Sequence, residues 1–305
     1  MKDASQNIKD KIVAFPPFGK YTQILRDMAK ELDINLLEQL PITNEMISKG
    51  CKHSAEMICF PYKFTIGYFM EALDKGANTL LMFDSAGQCR LRHYHMVQDH
   101  TLRNIGYKNF EMIPIRAKNI IGSFKKINNK LSTPRILRVL LKTFKKLKQI
   151  DNQKITNSYN IGIVGEIYCA IETSLNYDIE EKIKKAGMNP YNSVTLTDFL
   201  LGFLKRRIRI KSKYMKKAMA YFNGPLGGHG IENVASTLMM VDKKFNGIIW
   251  VRPLSCMPEI MVDTVLKDIC NKNNIPLLTL DIDETSAEAN VNTRIETFFE
   301  LIQTR

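Results

Sequence analysis

Short, continuous apolar runs recur along the chain and alternate with longer stretches of helical spacing. The runs are KIVAF (11–15), TLLMF (79–83), FEMIPI (110–115), YNIGIV (159–164) and NGIIWV (246–251). Runs of this length are typical of parallel strands that are buried on both faces of a sheet. Apolar residues spaced three and four apart follow most of the runs. This order of strand and helix predicts an α/β fold with open parallel sheets.

One basic region of helical spacing interrupts the alternation. We therefore predict an N-terminal α/β domain over 1–118, an inserted basic helical connection over 119–157 and a C-terminal α/β domain over 158–305. Both domains are expected to have Rossmann-like or flavodoxin-like parallel sheets. The weaker predicted elements are short strands at 35–37 and 193–196 and a long helical region that ends near residue 222.

Composition places the chain among globular proteins. It has 305 residues, of which 45% are hydrophobic and 25% charged, close to the globular average. No apolar run reaches the roughly 18 residues that a membrane helix needs. The polar start is not typical of a secretory signal. We expect a cytoplasmic protein, where thiols stay reduced, so its cysteines are more typical of catalytic or metal sites than of disulfides.

The positive charge is concentrated in two places. The formal net charge is +13, and most of it lies in 125–154 and 205–217. Both stretches interleave apolar residues, which favours helices with one solvated basic face. A docking face for an acidic protein or for nucleotide phosphates is the second interpretation. Nucleic-acid binding is the least favoured, because no zinc-finger, RNP or helix-turn-helix signature accompanies the charge.

The six cysteines form no C-x-x-C pair, so their spacing matches no common metal-binding motif. The local sequence around each cysteine is more informative. Cys59-Phe60-Pro61 and Cys256-Met257-Pro258 share one arrangement, in which a cysteine precedes a proline suited to the first turn of a helix. Sulfur at such a helix start lies beside unsatisfied N–H groups, which stabilise a thiolate or a negatively charged cluster. Cys89 and Cys256 follow predicted strands, and Cys51 lies in an irregular stretch that leads into Cys59.

Cys51, Cys59, Cys89 and Cys256 are therefore the candidate ligands of a metal or cofactor. A four-cysteine zinc site and buried, purely structural cysteines remain alternatives. Cys169 and Cys270 are better explained as core residues, since a free cysteine is often a small buried hydrophobe. The glycine-rich segment GPLGGHG (224–230) leaves a phosphate-binding α/β protein as a further alternative, although it matches no nucleotide-binding fingerprint.

Several segments together resemble the 2-hydroxyacyl-CoA dehydratase family and its activase-associated double-cubane cluster relatives. Cys51 followed by Cys59-Phe60-Pro61-x-Lys63 is similar to the start of the family's cluster region. Further similar segments, in the family's order, are Gly87-Gln88-Cys89, the Gly165-Glu166 turn, PLSCMPEI (253–260) and the acidic segment 280–298.

The resemblance implies two Rossmann-like or flavodoxin-like domains with an iron–sulfur cluster held between them. The cluster is expected to be a [4Fe–4S] with an open iron or a double cubane, and to be oxygen-sensitive. A separate ATPase with its own cluster, the activase, would supply low-potential electrons. The substrate would be an acyl-CoA or a small molecule, in a dimeric enzyme without membrane contact. The alternative is a non-catalytic, metal-binding accessory subunit of a dehydratase-like complex.

Overall fold

The protein is described from a computed structural model. The structure describes residues 10–84, 89–156, 158–200, 213–224 and 226–305. The predicted loop residues 85–87 and most of the second basic stretch lie outside them. The described residues form two compact units: one holds 10–84 and 90–149, and the other holds Cys89 and the residues from 150 onward.

The first unit is built on a three-stranded parallel sheet in the order β1-β2-β3, with β2 in the centre. Thr79 of β2 pairs with Val13 of β1 and with Glu111 of β3. The strands are β1 (Val13–Ala14), β2 (Thr79–Asp84) and β3 (Glu111–Arg116). The helices are α1 (Thr22–Glu31), α2 (Asn44–Lys52), α3 (Phe60–Asp74), α4 (Tyr94–Asn104), α5 (Ile120–Ile127) and α6 (Thr133–Ile150).

The predicted short strand at 35–37 is present only as one parallel bridge between Val13 and Leu36. The Val13 N–H donates to the Asn35 carbonyl at 2.8 Å, and the Leu37 N–H donates to the Val13 carbonyl at 2.8 Å. The segment therefore borders β1 without extending into a ladder.

The basic helices α5 and α6 pack inside the first unit, whereas the sequence suggested a separate connection. Phe124, Ile127, Ile136 and Val139 are all buried in the core that also contains Val13. Apolar residues on one face of each helix explain this packing, because they can be removed from water only against the sheet.

The second unit is built on a four-stranded parallel sheet in the order β5-β4-β6-β7. Its strands are β4 (Asn160–Gly165), β5 (Asn189–Asn192), β6 (Gly247–Pro253) and β7 (Leu277–Ile282). Its helices are α7 (Ile167–Ile171), α8 (Thr173–Asn176), α9 (Ile179–Lys185), α10 (Lys213–Met219), α11 (Gly230–Asp242), α12 (Met257–Lys272) and α13 (Glu288–Gln303). Two all-parallel sheets with helices between their strands confirm the predicted α/β class.

The strand predicted at 193–196 is wrong. The edge strand β5 ends at Asn192, and Thr195 begins a helical segment by accepting a hydrogen bond from the Asp198 N–H at 3.0 Å. The β-branched residues Val194, Thr195 and Thr197 favoured a strand, but a threonine N-cap competes with that preference. Pro190 is tolerated in β5 because the strand lies at the edge of the sheet.

Within the described ranges, no helix combines the length and apolar character that crossing a membrane would require.

Candidate functional site

Cys59 occupies the N-cap of α3, as its spacing to Pro61 predicted. Its backbone is extended, Phe60 and Pro61 begin the helix, and the Cys59 carbonyl accepts from the Tyr62 N–H at 2.9 Å. The side chain is only 6% exposed. The sulfur-bearing residue thus lies at the positive end of a 15-residue helix that is almost entirely buried.

Cys51 lies in the last turn of α2, which corrects the predicted irregular stretch. Thr43 begins this helix by accepting from the Met46 N–H at 3.1 Å. Two glycines then let α2 meet α3 backbone to backbone. A Cβ added to Gly50 would lie 1.9 Å from the Lys63 carbonyl oxygen, and one added to Gly67 would lie 2.2 Å from that of Met46. Gly50, in the stretch predicted to be irregular, is therefore a helix-packing position.

Cys256 occupies the equivalent place in the second unit, at the N-cap of α12 and three residues after the end of β6. It is 3% exposed, its N–H donates to the Pro253 carbonyl at 3.1 Å, and its carbonyl accepts from the Ile260 N–H at 3.0 Å. Pro258 lies in the first turn. The prediction that both Cys-x-Pro segments start helices is confirmed.

Cys89 groups with the second unit, although the sequence placed it in the N-terminal domain. Gly228 lies next to it and packs tightly against Pro258. A Cβ built on Gly228 would lie 3.8 Å from the Cys89 Cβ and 2.8 Å from the Pro258 Cγ, and its φ of +62° favours glycine. Gly228, in the segment suggested as a phosphate loop, therefore packs between Cys89 and the start of α12.

A buried polar network supports the start of α12, and sequence reasoning missed it. Glu259, three residues after Cys256, is 1% exposed. Its carboxylate accepts from Trp250 Nε1 at 2.6 Å and from Asn233 Nδ2 at 2.9 Å. Asn233 also exchanges two hydrogen bonds of 3.1 Å with the backbone of Gly165. The network joins α11 and α12 to the end of β4 and the middle of β6.

Burial raises the pKa of Glu259 to about 7, because an ionised carboxylate is poorly solvated there. The hydrogen bonds from Trp250 and Asn233 oppose this shift, while the nearby Glu166 carboxylate adds to it. A glutamate three residues after a helix N-cap usually suggests local capping. The hydrogen bonds from Trp250 and Asn233 instead show that Glu259 connects the start of α12 to β6 and α11.

Glu166, a position of the Gly-Glu turn, is the N-cap of α7. Its carboxylate accepts from the Cys169 N–H at 3.0 Å. Burial also raises the pKa of this carboxyl group, and the hydrogen bonds of the following turn lower it in part. A half-buried carboxyl group, Glu166, and a buried one, Glu259, therefore follow the neighbouring strands β4 and β6.

Arg252, the single arginine of β6, is held by carboxylates on β7 and α12. Its guanidinium bonds Asp281 and Asp263 at 2.7 Å each and lies 4.2 Å from the Trp250 ring centroid. These contacts give Arg252 a structural role in the second unit. They already engage its guanidinium, so few of its N–H groups remain for an anionic ligand.

Cys270, near the end of α12, is fully buried, and burial raises the pKa of its thiol to about 12. We expect it to resist alkylation at pH 8, because the thiolate is the reacting form. Mass spectrometry after iodoacetamide treatment should find Cys270 unmodified in the native protein and modified in denaturant. Modification at equal rates in both states would contradict this burial.

The donor chemistry of the four candidate cysteines fits an iron–sulfur cluster, since such clusters are held by cysteine thiolates. All six cysteines lie in the described part of the chain, and none forms a disulfide. Among the described residues, no group of three or more His, Cys, Asp or Glu side chains is arranged to hold a metal ion.

Both units are α/β units with all-parallel sheets, and each has a buried cysteine at the N-cap of a helix with proline in its first turn. This combination defines the structural class of the protein. Residues 113–302 match the family model for the D-component of 2-hydroxyglutaryl-CoA dehydratase. Because the match covers more than half of the chain, the protein belongs to this family. The matched range includes Cys256 and excludes Cys51, Cys59 and Cys89. A search of curated proteins finds no match.

Proposed function

We propose that the chain is the cluster-bearing component of a 2-hydroxyacyl-CoA dehydratase-like or double-cubane-type reductase system. Cys51, Cys59, Cys89 and Cys256 would hold an iron–sulfur cluster, and a partner ATPase, the activase, would supply low-potential electrons. The substrate would then be dehydrated or reduced. Family membership supports this proposal, and one observation carries it: Cys59 and Cys256 occupy matching, buried N-cap positions.

When bound, such a cluster supplies one-electron transfer and a Lewis-acidic iron. The chain contributes the setting. The first N–H groups of an α-helix lack partners inside the helix, so α3 and α12 direct positive dipole ends toward Cys59 and Cys256. Negative charge on these sulfurs or on a group bonded to them is stabilised there.

Burial of the two N-cap cysteines also excludes water, which strengthens the electrostatic interactions around them. Beside Cys256, four apolar side chains are more than half exposed: Leu254, Met257, Ile260 and Met261. So many exposed apolar residues in one short stretch support a surface that a partner or an acyl chain covers.

The proposal predicts that Cys59→Ser and Cys256→Ser each remove most of the iron and sulfide that the wild-type chain takes up in anaerobic reconstitution. Serine is nearly isosteric but is a poor ligand for the cluster. The measurements are iron and sulfide per chain and the visible absorption that reductant bleaches. Cys270→Ser is the matched control, because it changes another buried cysteine of α12.

Equal iron and sulfide in all three variants would reject the ligand assignment. Zinc without sulfide after anaerobic purification would instead favour the accessory-subunit alternative. If the cluster forms, its reduction by an ATPase of the activase type, dependent on ATP hydrolysis, tests the electron-accepting step.

A further inference from the structure

The outer face of α6 combines positive charge with exposed leucines. Leu137 and Leu141 are 45% and 65% exposed, and their spacing of four residues puts them side by side on the helix. Arg138, Lys145 and Lys148 are exposed on the same face. We refer to these five residues as the α6 stripe. The opposite face of the helix, with Ile136, Val139 and Leu147, is buried.

The charge around the α6 stripe is almost uncompensated. Residues 117–150 contain ten lysines and arginines and no aspartate or glutamate. Among the described residues, ion pairs engage two of the ten, Arg135 with Asp33 and Lys142 with Glu31. The other eight, which include the three cations of the stripe, have no ion-pair partner in the described part of the chain.

Other exposed helices of the same chain are built differently. On α12, Lys267 pairs with Asp263 and Lys272 pairs with Asp268, both at four-residue spacing. Such pairs stabilise a solvated helix, whereas like charges at this spacing destabilise it. Arg138 and Lys142 are like charges at that spacing on α6. A solvated face alone therefore does not explain the composition of α6.

We propose that the α6 stripe docks an acidic, amphipathic segment of a partner protein. Acidic side chains of the partner would neutralise Arg138, Lys145 and Lys148, and its apolar side chains would cover Leu137 and Leu141. The stripe spans 11 residue steps, or about 16 Å of helix, which corresponds to about three helical turns of a partner. The two exposed leucines favour a protein over a nucleic acid, whose phosphate backbone offers no apolar counterpart.

The inference is independent of the cluster and is tested on the full chain with a defined probe. The probe is a fluorescein-labelled peptide designed as an amphipathic helix, with leucines four residues apart and glutamates flanking them. A control peptide carries glutamine in place of each glutamate. Fluorescence anisotropy at two salt concentrations should show binding of the glutamate peptide only, weaker at the higher salt.

Arg138→Glu with Lys145→Glu should weaken binding by about tenfold or more. Leu137→Ser with Leu141→Ser should also weaken it about tenfold, because the apolar contact is lost. Lys216→Glu with Lys217→Glu, a pair of exposed lysines on α10, is the matched control for net charge. It should change the affinity by less than about twofold.

Three results would overturn the inference. The first is that the glutamate peptide does not bind, and the second is that both charge-reversal pairs weaken peptide binding equally. The third is that a DNA duplex of similar length binds more tightly than the peptide and that the leucine substitutions do not change its affinity. The last result would assign the face to nucleic acid. Unchanged circular dichroism and thermal unfolding of each variant would show that the fold is retained.

Discussion

Gly165→Ala is expected to lower the free energy of unfolding of the second unit by more than about 4 kcal/mol. The added Cβ would lie 1.8 Å from the Val251 carbonyl oxygen, far inside van der Waals contact. That oxygen is already engaged, because it accepts from the Glu166 N–H at 3.0 Å. Gly165 also has a φ of +148°, which L side chains rarely adopt. Relief would require β4 and β6 to separate where the buried polar network is anchored.

Gly187→Ala is the matched control for this substitution. Gly187 also has a positive φ, +75°, but a Cβ there would meet nothing within 4 Å. Its cost should be limited to backbone strain, about 1–2 kcal/mol. Denaturant unfolding followed by the fluorescence of Trp250, the sole tryptophan, reports on the second unit. Equal costs for the two variants would show that the close approach of Gly165 to Val251 does not constrain the fold.

The second unit is expected to lose stability as the pH rises from 5 to 8, and Glu259→Gln should remove much of that loss. The folded-state pKa of Glu259 is raised from 4.5 to about 7. Between these values the folded state binds more protons than the unfolded state, so unfolding becomes more favourable as the pH increases. The stabilisation by proton uptake is complete below pH 4.5 and is lost as the pH passes through 7. At 1.36 kcal/mol per pKa unit, the upper bound is about 3 kcal/mol.

Glutamine carries no ionisable proton and still offers one acceptor to Trp250 or Asn233. Glu259→Gln should therefore be more stable than the wild type at pH 8 and slightly less stable at pH 5. Glu166 also has a raised pKa and remains in the variant, so some pH dependence persists. Glu300→Gln on the exposed surface of α13 is the control, and it should leave the slope unchanged. Parallel curves for Glu259→Gln and the wild type would reject the buried titration.

Patterns with a single local cause predicted the fold well. The buried runs at 79–83 and 246–251 became the central strands β2 and β6, because only the interior of a parallel sheet buries both faces of such a run. The elements that were missed are those in which tertiary packing outweighs the local preference of the residues. The stretch that holds Gly50 and Cys51 was predicted to be irregular, yet packing against α3 makes glycine favourable in a helix there.

The positions of candidate cysteines were predicted correctly where a short local sequence, a cysteine followed by a proline, determines the start of a helix. Cys59 and Cys256 were located at helix starts from the proline two residues later, because proline is favourable in a first turn. The unit to which Cys89 belongs, and the partners of Glu259, could not be read in this way. Asn233, Trp250 and Glu259 are separated along the chain and meet only after the second sheet has formed.

The contact between Gly50 and Gly67 also bears on how the first unit could respond to a bound group. Two helices whose backbones touch cannot slide past each other by rotating side chains, since no side chain lies between them. Cys51 near the end of α2 and Cys59 at the start of α3 are therefore carried by one stiff hairpin-like arm. A shift of the end of α2 should therefore also move the start of α3, so the backbones that carry Cys51 and Cys59 would move together.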